Sequence, residues 1–134
     1  FEANQGRLPW PVEKGYISGD FGKHQHPVHE HVTINNKGLY LQTVSGANAR
    51  AIYEGEVTSC ALVGDAYAVI VQHGNYRSVY SPLKKLHVKQ GDKLAAKQVI
   101  GEIVTNTNDD NKTELYFQIY KDRTILNPSL WLAQ

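Results

Sequence analysis

Short apolar segments alternate with turn residues along the whole chain, and no long segment carries apolar residues at the 3.6-residue spacing of a helix. The apolar segments are rich in Val, Ile, Tyr and Leu, which favour strands. Gly and Asn separate several of them, as in the tight turn "HGN" between "YAVIVQ" and "YRSVYS". The pattern predicts strands at 38–41, 49–53, 55–62, 67–73, 76–80, 99–105 and 114–120.

The end of the chain, "LNPSLWL", predicts one short helical turn. Asn127 is a good N-cap, Pro128 suits the first helical position, and the turn packs Trp131. Residues 106–112, "NTNDDNK", are a polar loop with no core-forming residues, and substitutions there are expected to have little effect on the function of the domain. Together the elements predict an all-β fold, a compact antiparallel sandwich or barrel with a short C-terminal helical turn, in one domain covering 1–134.

The composition of the chain argues against some classes of function and adds little about the fold. Hydrophobic residues make up 41% and charged residues 20%, as in ordinary globular proteins. The net charge of +1 comes from scattered Lys and Arg, which argues against nucleic-acid binding. No apolar run is long enough to span a membrane, and the first residues lack the charged and apolar regions of a signal peptide. Because the chain does not begin with Met, a mature or excised part of a longer protein is expected.

The single cysteine, Cys60, excludes an internal disulfide. It lies in "EVTSCALV", an alternating segment that predicts a buried or half-buried strand residue. No histidine with a triad-like partner can be assigned to it, so no catalytic part is expected.

Four histidines lie in the eight residues "HQHPVHEH", and imidazole is a common zinc ligand. On an extended chain His24 shares a face with His26, and His29 with His31. Pro27 lies between the pairs and turns the chain, so the four rings need not converge. The tract is therefore interpreted as a polar loop, with a zinc site as the alternative.

Residues 6–131 resemble the LytM-type (lysostaphin-like) zinc peptidase domain that cuts peptidoglycan cross-links. The resemblance follows the family's order and spacing along nearly the whole chain, and it implies the LytM (duplicated hybrid motif) type of fold. The segments that carry it are "LPWPVEKGYISGDFG", "HQHP", "NNKGLYL", "ARAIYEGEV", "YAVIVQHGNYRSVYSPL", "VKQGDKLAAKQVIGEI", "TELYFQI" and "LNPSLWL".

The positions that hold and assist zinc in active members differ here. A His-x-x-x-Asp motif supplies two ligands in the family, and the matching "NKGLY" has Asn36 for the His and Tyr40 for the Asp. A His-x-His motif supplies a catalytic His and a ligand, and "ELY" has Glu114 and Tyr116 in their places. A further catalytic His is replaced by Pro82 in "YSPL".

These replacements are poor substitutes for a zinc site. Zinc hydrolysis needs a metal that acidifies its bound water and groups that stabilise the oxyanion. An amide and two phenols of ordinary pKa about 10 replace imidazole or carboxylate badly, and Pro82 has no side-chain proton to give. The resemblance therefore implies a degenerate peptidase homologue with no catalysis, metal or cofactor.

The same resemblance assigns a place to the histidine tract. "GKHQHP" lies where active members carry Gly-x-Arg-x-His-Pro, so His24 and His26 are expected in the substrate groove. His29 and His31 fall on the variable loop that leads to Asn36.

Degenerate LytM-type domains occur in EnvC-like murein hydrolase activators, where the former groove binds a cell-wall amidase and relieves its autoinhibition. "LYF" and the Leu-Trp-Leu ending are similar to those activators. The resemblance implies a non-catalytic activator of an N-acetylmuramoyl-L-alanine amidase, in the periplasm or cell envelope of bacteria separating daughter cells. The groove is expected to have Tyr40 and Tyr116 on its floor, Asn36 and Glu114 beside them, and His24, His26 and Tyr80 on its walls.

Two other classes of function stay open. The first is a peptidoglycan-binding module, in which Tyr40, Tyr80 and Tyr116 contact sugars or peptide without cleavage. The second is a metallopeptidase with an unorthodox site built from His24, His26 and His29. Amidase binding separates the activator from the first class, and metal analysis tests the second.

Overall fold

The computed structural model of the chain describes residues 2–25, 33–108 and 110–133, with the backbone alone for residues 2, 23–25 and 33–35. Thirteen strands and two 3₁₀ turns, Glu2–Asn4 and Pro128–Leu130, make up the regular structure of these residues. The strands are β1 (Tyr16–Gly19), β2 (Gly22–Gln25), β3 (Thr33–Asn36), β4 (Leu39–Thr43), β5 (Asn48–Arg50), β6 (Gly55–Val63), β7 (Ala66–His73), β8 (Tyr76–Leu86), β9 (Lys93–Leu94), β10 (Val99–Ile103), β11 (Thr105–Asn106), β12 (Lys112–Lys121) and β13 (Thr124–Leu126).

Antiparallel pairing joins eleven of the strands into one sheet, whose main path runs β1-β4-β12-β8-β7-β6-β9. Strand β10 pairs with β5 and β8, and both β11 and β13 pair with β12. Strands β2 and β3 form a separate two-stranded sheet. The predicted all-β, antiparallel fold is confirmed.

Strand β12 shows how the sequence divides the sheet into two faces. Its alternate residues Thr113, Leu115, Phe117 and Ile119 are all at most 1% exposed, because successive side chains of a strand point to opposite faces. The residues between them lie on the outer face and are half-buried. Burying a side chain such as Leu115 or Phe117 contributes about 1.5–3 kcal/mol. This inward face fixes the register, and the register places the outer face that carries the candidate site.

The predicted strands agree with the structure where the alternation is strong. The main error is 49–53: β5 ends at Arg50, and Ala51 hydrogen-bonds instead to Gln98 O and Lys97 N in an irregular crossing. Predicted strand 99–105 is split between β10 and β11. Five short strands were not predicted, namely β1, β2, β3, β9 and β13.

The C-terminal turn is confirmed. Asn127 is the N-cap, its side chain accepts a hydrogen bond from Ser129 N at 3.1 Å, and Pro128 begins the turn. Trp131 is 6% exposed, and its ring centroid lies 5.1 Å from that of Tyr76. Cys60 lies in β6 and is half-buried, as predicted.

Candidate functional site

The sheet register brings together residues that lie far apart in sequence. Tyr116 of β12 is paired with Tyr40 of β4 on one side and with Ser81 of β8, the residue before Pro82, on the other. An open cleft of about 580 Å³ lies over these pairs. Its described lining is Tyr40, Asp65, Pro82, Val104, Thr105, Asn106, Thr107, Lys112, Glu114 and Tyr116. Four of the five predicted degenerate positions therefore share one cleft.

Tyr40 and Tyr116 are in ring contact, with centroids 4.7 Å apart and planes inclined by 41°. Gln118 Nε2 lies 3.4 Å from Tyr116 Oη and donates to Lys37 O at 3.2 Å. Burial, with smaller effects of Tyr40 and Tyr120, raises the pKa of the Tyr116 phenol above its usual value. Tyr116 is thus neutral at physiological pH, and the cleft has an aromatic surface with hydroxyl groups.

Glu114 is the ionisable group beside the two tyrosines. Its Oε2 accepts a hydrogen bond from Ser18 Oγ of β1 at 2.5 Å and lies 3.7 Å from Lys112 Nζ. The side chain of Glu114 is 24% exposed, so its carboxylate is held in place while still reaching solvent. The cleft therefore has a fixed acceptor at its rim.

Asn36 lies at the end of β3, where its Nδ2 donates to Asp20 O at 2.8 Å. It is not among the described residues that line the cleft. The amide therefore links two backbone segments near the cleft.

Tyr80 was predicted on a groove wall, and this is wrong. The residue is 0% exposed, its ring packs 5.3 Å from that of Phe117, and burial raises the pKa of Tyr80 to about 12. Tyr80 Oη accepts from Ile52 N at 3.2 Å and hydrogen-bonds Ser78 Oγ at 2.8 Å. Odd and even positions of β8 point to opposite faces, so Tyr80 faces the core while Ser81 faces outward.

The histidine tract lies largely outside the described residues. His24 is described by its backbone, which pairs with Ile34, and its side chain is not described. His26, His29 and His31 fall outside the described ranges. Their predicted roles stay predictions.

Several cleft residues were not predicted from the sequence. Asp65 comes from the β6–β7 turn, and Asn106, Thr107 and Lys112 belong to the loop in which substitutions were expected to do little. All three line the same cleft as Tyr116, and the expectation for them stays a prediction. No motif marks them, because long-range strand pairing alone brings them to the cleft.

The residues at the family's zinc positions do not fit a zinc ion. Tyr40 and Tyr116 offer phenols in ring contact with each other, and the Asn36 amide donates to a backbone carbonyl. One carboxylate, Glu114, is left, whereas zinc sites use several imidazole, thiolate or carboxylate ligands. Within the described part of the chain, no group of three or more His, Cys, Asp or Glu side chains is placed to hold a metal ion.

Residues 34–128 match Peptidase family M23, and the chain belongs to this family. It is 34% identical over 134 residues to "Uncharacterized protein NMB1333" of Neisseria meningitidis, covering 98% of this chain and 21% of that protein. It is also 26% identical over 134 residues to the murein hydrolase activator EnvC of Escherichia coli, covering 98% of this chain and 30% of that protein. The chain thus spans less than a third of either relative.

Solved structures support the fold. The chain superimposes on a chain of the SpoIIQ–SpoIIIAH pore-forming complex with a TM-score of 0.78 at 23% identity, over 96% of this chain and 92% of that one. At this identity the likeness concerns the fold alone. Among the described residues, no helix is long and apolar enough to cross a membrane.

Proposed function

We propose that the chain is a non-catalytic activator of a cell-wall N-acetylmuramoyl-L-alanine amidase, which it binds through the tyrosine-lined cleft. The observation that carries the proposal is the contact between Tyr40 and Tyr116 at 4.7 Å, at positions where active family members hold zinc ligands. The similarity to a murein hydrolase activator over 98% of the chain supports the same class of function.

The chemistry of the cleft suits a protein segment. Tyrosine buries a large apolar ring while its hydroxyl still finds a hydrogen-bond partner, which makes it frequent at interface centres. Tyr40 and Tyr116 supply such a centre, and Glu114, Lys112 and Asp65 supply a charged rim. An amphipathic helix or an extended segment of the amidase fits an open cleft of this kind.

The proposed setting follows from the substrate of the partner. Peptidoglycan lies outside the cytoplasmic membrane, so an amidase activator works in the periplasm or cell envelope, and cleavage there separates daughter cells. The chain itself contributes binding and needs neither metal nor cofactor for this role.

A peptidoglycan-binding module is the second candidate, because the same two tyrosine rings can contact sugars. A zinc endopeptidase built on the histidine tract from His24, His26 and His29 is the third. The three candidates differ in what the purified chain binds and in whether it cleaves peptidoglycan alone.

The test is a dye-release assay on labelled peptidoglycan, with purified amidases of the source bacterium, each alone and with the chain. An activator raises the release by one amidase and releases nothing alone. Co-sedimentation with peptidoglycan measures the second candidate, and zinc content after dialysis against a weak chelator measures the third. Dye release by the chain alone together with one retained zinc per chain contradicts the proposal.

A further inference from the structure

Strand β6 has one edge that is covered for only part of its length. Strand β9 pairs with Gly55 and Glu56, and the turn before it bonds Val57 through Gly91 N and Asp92 O. From residue 58 to residue 63, no strand of the described chain pairs with β6 on the side away from β7. This stretch, 58–63, is called the free edge.

The free edge lacks the usual protection against strand pairing. Natural edges are blunted by lysine, proline or bulges, since unpaired N–H and C=O groups invite another strand. The sequence of the free edge, "TSCALV", has no charged residue and no proline. A bulge interrupts the pairing between Val57 and Ser59, and the register is regular from there to Val63. The bulge therefore lies at one end and leaves the regular stretch open.

Two large apolar side chains are exposed at the end of this edge. Leu62 is 62% exposed and Val63 is 67% exposed, and they lie just before the Gly64–Asp65 turn. Successive side chains of a strand point to opposite faces, so each face of β6 carries one exposed apolar side chain at this end.

We propose that two copies of the chain pair antiparallel through their free edges, about a twofold axis at Ala61. The proposal does not rest on the amidase-activating role, and Asp65 is the residue that the hairpin tip shares with the rim of the cleft. A twofold contact of this kind is isologous, so each copy supplies the same surface. With the axis at Ala61, residues 59–63 of one copy lie opposite residues 63–59 of the other, and the turn 91–92 and the Gly64 turn lie just beyond the two ends of this pairing.

Charge complementarity supports this pairing. In the antiparallel arrangement the tip of one hairpin, with exposed Asp65, reaches the turn before β9 of the other copy. Lys89 of that turn and Lys93, the first residue of β9, are exposed, while the carboxylate of Asp92 accepts the Lys89 N–H at 2.9 Å. The twofold axis repeats this attraction at both ends, and no charged side chain lies along the free edge between them.

The first test is the mass of the 134-residue chain by sedimentation equilibrium over a wide range of micromolar concentrations. A monomer–dimer equilibrium is expected. The double variant Leu62→Lys/Val63→Lys should weaken dimerisation by at least about tenfold, since it puts four like charges into the pairing. Leu130→Lys is the matched control, because Leu130 is 61% exposed in the C-terminal turn. A chain that is monomeric throughout, or a dimer that both variants leave unchanged, overturns the proposal.

The second test fixes the register. Pairing about Ala61 places Cys60 of one copy opposite residue 62 of the other, at a separation that suits a disulfide. Leu62→Cys should therefore give a covalent dimer when oxidised glutathione accepts the two electrons and protons of each thiol pair. The control Val63→Cys should stay monomeric on a non-reducing gel, because residue 63 lies opposite Ser59 on the other face. Equal cross-linking of both variants, or none in Leu62→Cys, overturns the antiparallel pairing.

Discussion

His73 Nε2 lies 2.8 Å from Ser78 Oγ, deep in the sheet, and Ser78 Oγ lies 2.8 Å from Tyr80 Oη. His73 is 6% exposed and Ser78 is 0% exposed. The other ring nitrogen, Nδ1, donates to the Glu54 carbonyl at 2.8 Å, since a carbonyl can only accept. The imidazole is therefore tied into the core at both nitrogens, at the opposite end of β7 from the cleft.

This arrangement makes folding stability depend on pH. Burial lowers the pKa of His73 below its ordinary value of 6.5. The unfolded chain then takes up a proton at a higher pH than the folded chain does, so the free energy of unfolding falls as pH drops below about 6.5. The free energy of unfolding goes on falling until the pH reaches the pKa of His73 in the folded chain. Its slope is at most about 1.4 kcal/mol per pH unit for one group. Urea unfolding at a series of pH values measures it.

The variant His73→Gln should flatten that acid-side slope, at the cost of lower stability near pH 7.5. His87→Gln is the matched control for the loss of one imidazole, because His87 is exposed. An equally steep slope in His73→Gln would assign the pH dependence to other groups.

Tyr80→Phe should destabilise the fold by about 1–3 kcal/mol, although the two rings have nearly the same shape. Tyr80 Oη accepts the Ile52 N–H at 3.2 Å, and removing it leaves a buried donor without this partner. Tyr120→Phe, on the half-buried outer face, should cost much less. Chemical denaturation of both variants provides the comparison, and equal stabilities would contradict the role given to the Tyr80 hydroxyl.

Gly38→Ala should destabilise the sheet beside the cleft. A Cβ at Gly38 would lie 2.6 Å from Phe117 O and 2.8 Å from Gln118 Cγ, closer than such atoms pack. Relieving the clash forces β4 away from β12, and overpacking of this kind costs about 1–3 kcal/mol. Lys37→Ala, at the exposed neighbouring position, is the control. An unaltered melting temperature in Gly38→Ala would show that the strands have room to separate.

The sequence predicts the long strands well, because alternation such as that of β12 is strong and the buried half of the strand fixes its register. It does not predict short strands such as β1, whose pairing with β4 depends on a neighbour more than twenty residues away. Family resemblance located Tyr40, Pro82, Glu114 and Tyr116, and the structure places all four at one cleft. The resemblance placed Tyr80 on a groove wall, and this was wrong, because the alternation of side chains along β8 points Tyr80 into the core.

The remaining part of the site could not be predicted from local sequence. Asp65 reaches the cleft from a hairpin turn, Thr105 from β11, and Thr107 from the start of the loop before β12. These residues reach Tyr116 through the pairing of β7 with β8 and of β12 with β4, β8 and β11. When long-range contacts alone bring a residue to the site and no motif marks it, a single sequence cannot predict that the residue belongs to the site.

The double variant Tyr40→Ala/Tyr116→Ala should abolish most of the proposed amidase activation. The centroids of the two rings lie 4.7 Å apart in the cleft. Truncating a central aromatic residue of an interface commonly lowers the binding free energy by about 2 kcal/mol or more. Each single variant should therefore bind the amidase about thirtyfold more weakly. Because both side chains lie on the outer face and are half-buried, the fold should survive, which circular dichroism and urea unfolding check. Ser129→Ala, in the C-terminal turn away from the cleft residues, is the binding control. If the folded double variant binds and activates the amidase as well as the unaltered chain does, the partner contacts another surface and the cleft is not its site.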